Sequence, residues 1–236
     1  WVSKIDSKLQ TKQYGGNKVM KKVNYIAAGI SALTLAGMML PVGQVLAVDQ
    51  SKKSVAEINV EAGVLTLEKV PDLRFDKVSI AELAGDTGVT KNLLDNSVSD
   101  QGPVKTGSDN KDGNSDGELT ITDYRGSGVG WELTAQVGEM INGAGQSLAG
   151  SIVLKGSTPV VDGSTPQSVS PDTEVTLPIN GAAVTIWKAA AKQGQGKNTS
   201  TFKANGGTKI ELASNKTAVT GLYQAPITWT LSDAPK

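Results

Sequence analysis

The feature that most constrains the fold is the period of the apolar residues. After residue 48 they recur at every second position in short runs rich in Val, Ile and Thr, and Gly, Asn, Asp and Ser separate the runs. A period of two places one face of a segment in a core and the other in water, as a half-buried strand requires. The expected strands are Val55 to Val60, Val64 to Leu67, Phe75 to Ile80, Glu118 to Tyr124, Trp131 to Val137, Ile152 to Leu154, Val175 to Leu177, Ala183 to Trp187, Thr199 to Lys203, Lys209 to Leu212 and Ile227 to Leu231. This pattern reads as all-β: an antiparallel β-sandwich, jelly-roll-like. Leu83 to Leu94 is the only stretch that admits a helical turn. Ser99 to Gly117 and Gly156 to Thr173 lack alternation and read as long loops at the ends of the sandwich.

The sequence contains no cysteine and no histidine. A domain without disulfides must be stabilised by its core alone, and residues 48–236 are enough for one domain to do so. Without histidine, Ser-His-Asp and Cys-His catalysis and the usual zinc sets are excluded. Carboxylate, lysine or tyrosine chemistry stays open. A carbohydrate-active enzyme would need two carboxylates about 5 to 10 Å apart across a cleft, and no spacing nominates such a pair.

The N-terminus reads as an export signal. Met20-Lys21-Lys22 is a basic start, Val23 to Leu40 an apolar run, and Val45-Leu46-Ala47 a small-residue cleavage site, so residues 20–47 form a cleaved signal peptide and the mature chain begins near Val48. A retained membrane helix is the alternative, but the run is at the lower length limit for spanning. Residues 1–19 fit neither reading. Gly15-Gly16 can be encoded by a ribosome-binding sequence a few codons before Met20, so residues 1–19 are expected to be an upstream extension and Met20 the start. Removal of residues 1–47 takes six lysines and Asp6 from a balanced 23 basic and 23 acidic residues, leaving 17 against 22 and a net charge of −5. That sign argues against nucleic acid and against simple attraction to anionic wall polymers.

Two tripeptides stand out in a chain with four tryptophans: Trp131-Glu132-Leu133, after Asp123-Tyr124-Arg125-Gly126-Ser127-Gly128-Val129-Gly130, and Trp229-Thr230-Leu231, after Tyr223-Gln224-Ala225-Pro226-Ile227-Thr228. Together with Leu65-Thr66-Leu67-Glu68-Lys69-Val70-Pro71-Asp72-Leu73-Arg74-Phe75 and Gly194-Gln195-Gly196, over residues 55 to 236, the chain resembles the WxL domain family of Gram-positive surface proteins. The resemblance implies an extracellular, wall-associated protein that is not an enzyme and binds the cell wall non-covalently. Its implied partners are peptidoglycan or another cell-wall glycan, or a WxL-interacting surface protein, with a host matrix protein as a further candidate. A carbohydrate-active enzyme is the competing reading, and a protein-binding subunit of a surface complex or adhesin a third.

In a strand, Trp131, Leu133, Ala135 and Val137 share one face, as do Ile227, Trp229 and Leu231. Both sets read either as the inward faces of sandwich strands or as a surface where neighbouring indoles stack on sugars or dock a partner. Because Trp131 follows the glycine-rich turn Gly126 to Gly130, it is expected to be the more exposed, with Trp229 in the core. Asp123 and Arg125 lie two apart and can pair, fixing that turn. Asp112, Asn114 and Asp116, with Asp123 at the twelfth position, match the spacing of a calcium loop. An acidic solvated loop is the other reading, since Asp123 is shorter than the usual bidentate Glu and no helices flank it. Leu177-Pro178-Ile179-Asn180-Gly181 resembles a sortase signal but has Asn in place of Thr, and reads as a strand-ending turn.

Overall fold

The computed structural model describes residues 49–104, 111–162 and 169–233. The expected upstream extension (1–19) and signal peptide (20–47) lie outside the described residues. The chain divides after Ala56 into two units. Of the first, residues 49–56 are exposed and have no regular secondary structure.

In the second unit the strands are β1 (Leu65–Lys69), β2 (Arg74–Phe75), β3 (Val89–Asp95), β4 (Glu118–Asp123), β5 (Trp131–Val137), β6 (Met140–Ile141), β7 (Ser147–Leu148), β8 (Gly150–Leu154), β9 (Val160–Val161), β10 (Val175–Pro178), β11 (Val184–Ala189), β12 (Gly196–Thr201), β13 (Lys209–Leu212) and β14 (Ile227–Ser232), with one helical turn, α1 (Ile80–Leu83). They form antiparallel sheets in the orders β1-β4-β12-β9, β10-β8-β13-β3-β2, β11-β5-β14 and β6-β7. The sheets pack together as a β-sandwich and do not close into a barrel. One core joins them, with Leu119 and Ile121 from β4, Ile152 and Leu154 from β8, Leu133 and Val137 from β5, and Phe202 after β12.

β5 shows why the alternation is decisive. Trp131, Leu133, Ala135 and Val137 are buried, while Glu132, Thr134 and Gln136 on the other face are not. β14 lies along one side of it, with Ile227 opposite Val137, Trp229 opposite Ala135 and Leu231 opposite Leu133. β11 lies along the other, with Ala189 opposite Trp131 and Trp187 opposite Leu133. A register shift between Thr185 and Trp187 breaks the period in β11, and Ile186 and Trp187 are both buried as a result.

Four expectations are corrected. Residues 55–60 are exposed, have no regular secondary structure and pair with no strand among the described residues. The strand expected from Phe75 to Ile80 stops at Phe75, because Ser79 and Glu82 form a reciprocal capping box that starts α1. The helical turn expected within Leu83 to Leu94 ends at Leu83; Gly88, at φ +55°, leads into β3, where Leu93 points to the core and Asn92 to solvent. The loop expected from Gly156 to Thr173 contains the short strand β9, paired with β12.

Candidate functional site

Trp131 occupies a closed position in the core. Its ring is inaccessible to solvent, lies edge-on to Trp187 with centroids 5.4 Å apart at 78°, and donates its indole N–H to the Gly194 carbonyl at 3.0 Å. An aromatic pair of this kind adds about 0.5–1.5 kcal/mol to the burial itself. The glycine is required. Gly194 has φ +67°, and a Cβ there would sit 2.6 Å from the Trp131 indole nitrogen. Asn198, fully buried, donates its amide to the carbonyls of Gly194 at 3.0 Å and Gly196 at 3.1 Å, so the glycine pair is held from beneath. The expectation that Trp131 is the exposed tryptophan is therefore overturned. The turn before it is tied down rather than open.

The ties come from Arg125. Its Nε and Nη2 donate to the two oxygens of Asp123 at 2.9 and 2.7 Å, Nη2 also reaches the Gly130 carbonyl at 2.8 Å, and Nη1 the Asp233 carbonyl at 2.9 Å. One guanidinium thus joins the end of β4, the entry to β5 and the exit of β14. The Asp123 side chain is 2% exposed and that of Arg125 15%. Hydrogen bonding to Arg125, against a smaller cost of burial, holds the Asp123 carboxyl below its ordinary value.

Trp229 shares the inward face of Trp131 but belongs to β14, the end strand of its sheet. The two indoles are four residues apart in register, or about 13 Å along the strands, with Leu133 and Leu231 between them. They do not make the paired stacking surface that neighbouring motif strands could have given. Trp229 is half-buried and lines a mainly apolar cleft of about 540 Å³. The cleft opens between the inward face of β14 and that of the five-stranded sheet, whose Ile152, Ile210 and Leu212 form one wall. Leu73, Phe75 and Val78 line a second wall and Leu222 and Tyr223 a third. Asp72 also lines it, and burial pushes its carboxyl up to about 6, partly opposed by the charge of Lys111. Proline 71 and its neighbours gave the sequence no sign of a cavity, because its walls come from segments more than a hundred residues apart.

The calcium-loop residues are not brought together as ligands. β4 begins at Glu118 and, being extended, carries Asp123 about 17 Å away, where it is engaged by Arg125. Asp112, Asn114 and Asp116 instead form consecutive turns, each side-chain oxygen accepting the backbone N–H two residues on, at 2.9, 3.1 and 2.9 Å. A cation already sits there. The Lys69 ammonium lies 2.6 Å from Asp116 and 2.9 Å from Glu118. Among the described residues no group of three or more metal-ligating side chains is arranged around a common point.

Comparison with curated proteins gives no match, and neither does comparison with solved structures. The family model described as WxL domain surface cell wall-binding matches residues 41–235, a span that includes both Trp-x-Leu strands, the Arg125 clamp and the glycine pair beneath Trp131. The chain belongs to this family of extracellular domains that bind the cell wall.

Proposed function

We propose that the domain grips the wall non-covalently through the cleft beside β14, with Trp229 as its aromatic contact and Trp131 as the support of the fold. One observation carries this reading: of the two motif tryptophans only Trp229 has accessible surface, and it faces a cavity of the size that ligands occupy. The ligand is peptidoglycan, another wall glycan, or a surface protein such as a WxL-interacting protein. A host matrix protein would have to use the same face. The role is binding rather than catalysis.

The chain's expected negative charge has the same sign as wall polymers, so the contact rests on stacking and hydrogen bonds and resists moderate salt. The test is co-sedimentation with purified, protein-free sacculi. Leu222→Asp, which places a charge at the cleft on a side chain already 46% exposed, should leave the melting temperature within a few degrees and lower the bound fraction several-fold. Undiminished binding by that variant would remove the cleft from the reading. Failure of the wild type to bind stripped walls, with recovery on walls that keep their proteins, would assign the contact to a protein ligand.

A further inference from the structure

We infer that residues 57–64 form a strand that one copy of this chain inserts into the open side of another copy's sandwich, filling the cleft beside β14. The inference rests on the proposed reading of that cleft as the binding surface, and names a polypeptide occupant for it.

The donor is unusual in its pattern and its exposure. Ile58, Val60, Ala62 and Val64 are apolar at alternate positions, with Glu57, Asn59 and Glu61 between them, which is the period of a strand with one buried face. Yet Ile58 is 87% exposed, Val60 84% and Val64 67%, and among the described residues no strand pairs with residues 57–62. They continue β1 beyond the point where β4 turns away, the last backbone contacts being those of Gly63 and Val64 with Tyr124. Their own core is not what this face is patterned for. Leu65 and Leu67 are the half-buried residues of β1, whereas Thr66 and Glu68 are exposed, and the apolar positions of the arm share the parity of the exposed pair.

The acceptor lacks what the donor has. Among the described residues no strand pairs with the outer edge of β14, and beneath that edge the space between the two sheets is a cleft rather than packed core. A strand added there would pair its backbone with β14 and lay its apolar side chains against Trp229, Ile152 and Ile210, the mode of recognition in which main-chain bonds supply affinity and alternate side chains supply fit. The charges agree as well. The arm's other face carries Glu57 and Glu61, and Lys77 on the cleft's rim has no carboxylate partner among the described residues. A copy whose cleft lies on the wall still has a free arm, so wall binding and self-association are compatible within one assembly.

Sedimentation velocity at rising concentration of the purified protein tests this. The wild type should pass from monomer to dimer or longer species, since donor and acceptor are separate segments of each copy and each copy offers both. Ile58→Asp removes the donor and Leu222→Asp the acceptor. Each alone should stay monomeric with an unchanged melting temperature, and an equimolar mixture of the two should form a one-to-one dimer that grows no further. A synthetic peptide of residues 54–64 should dissolve wild-type oligomers, and the same peptide carrying Ile58→Asp should not; this arm stands even if Leu222→Asp fails to fold. A wild type that stays monomeric to its solubility limit, a mixture that fails to pair, or a lower melting temperature for Ile58→Asp in a monomeric wild type, which would place the arm in its own cleft, overturns the inference. Sacculus binding by the Ile58→Asp monomer is read separately, and its loss counts against the wall-binding reading alone.

Discussion

The two Trp-x-Leu strands share a tripeptide, a sheet and an inward face, and they differ in one respect. Among the described strands β5 has a neighbour on each side, whereas β14 has one. That difference sets the fate of each indole. Both tryptophans sit opposite an alanine, Trp131 opposite Ala189 and Trp229 opposite Ala135, so the small partner makes room for the ring in each case. Around Trp131 the remaining space is closed by Trp187 and Gly194; around Trp229 it is left as a cleft. The same motif is therefore a keystone in the middle of a sheet and a half-buried wall of a cleft at its edge.

The largest effects should come from the central strand. Trp131→Ala removes a fully buried ring, its edge-to-face partner and a buried hydrogen bond, and should cost roughly 3–5 kcal/mol in urea unfolding. Trp229→Ala should cost about 1–2 kcal/mol, because a half-exposed ring has less area to lose. Equal losses at the two positions would break the comparison. Arg125→Ala comes next, at about 3 kcal/mol, since it leaves the Asp123 carboxylate buried without its partner and frees both β5 and β14 at once. A value near that of a surface pair, under about 1 kcal/mol, would show that the clamp is ornamental. Gly194→Ala should cost roughly 2–3 kcal/mol, from a left-handed backbone and a clash with the Trp131 indole. Gly126→Ala, also left-handed but with nothing near its Cβ position, should cost only about 1 kcal/mol. Measuring the two glycines side by side isolates the contact with the indole from the backbone term.

How much of this was legible in the sequence follows the same division. Local periodicity gave β5 and β13 to the residue and most other strands to within three, because their pattern needs no knowledge of the partner strand. It failed where a neighbour decides the outcome. Val55 to Val60 has the pattern of a strand but no strand beside it, and the capping box at Ser79 outweighed the apolar run before it. The reversed assignment of Trp131 and Trp229 has the same cause: a glycine-rich turn suggested exposure, and nothing local shows that Arg125 binds that turn to β14. Two residue types mark these sites in the sequence, and the pairing of Asp123 with Arg125 expected from one of them is present. Asn198 is an unusual residue for the interior of a strand, which marks a buried amide with a specific task, and the only arginines are Arg74 and Arg125, each bidentate on an aspartate. The calcium spacing misled because it counts residues and ignores that an extended strand carries the twelfth position out of reach.

The smallest effect is the pH dependence, and there the two regions should have opposite signs. Asp123 at the clamp is held below its ordinary 3.8 by Arg125. Its folded form keeps the proton off, so its stabilisation is complete above about pH 4 and is lost as the pH falls through the depressed value. Asp72 in the Trp229 cleft is pushed up from 3.8 to about 6 by burial. Its folded form binds the proton more tightly than the unfolded chain, so stability from this group is greatest below about pH 4 and declines as the pH rises through 6. Asp72→Asn should therefore flatten the fall between pH 4 and 6 and raise stability slightly at pH 7, an effect reduced by the partial solvation of the side chain. Asp123→Asn should weaken the acid-side loss and lower stability at pH 7. If Asp72→Asn instead destabilises the fold at pH 7, its carboxylate has a favourable partner when charged, and the cleft is a more polar site than its walls indicate. A ligand that sets a cation against Asp72 would show itself in the same titration, by drawing the apparent value back toward 4 in proportion to occupancy.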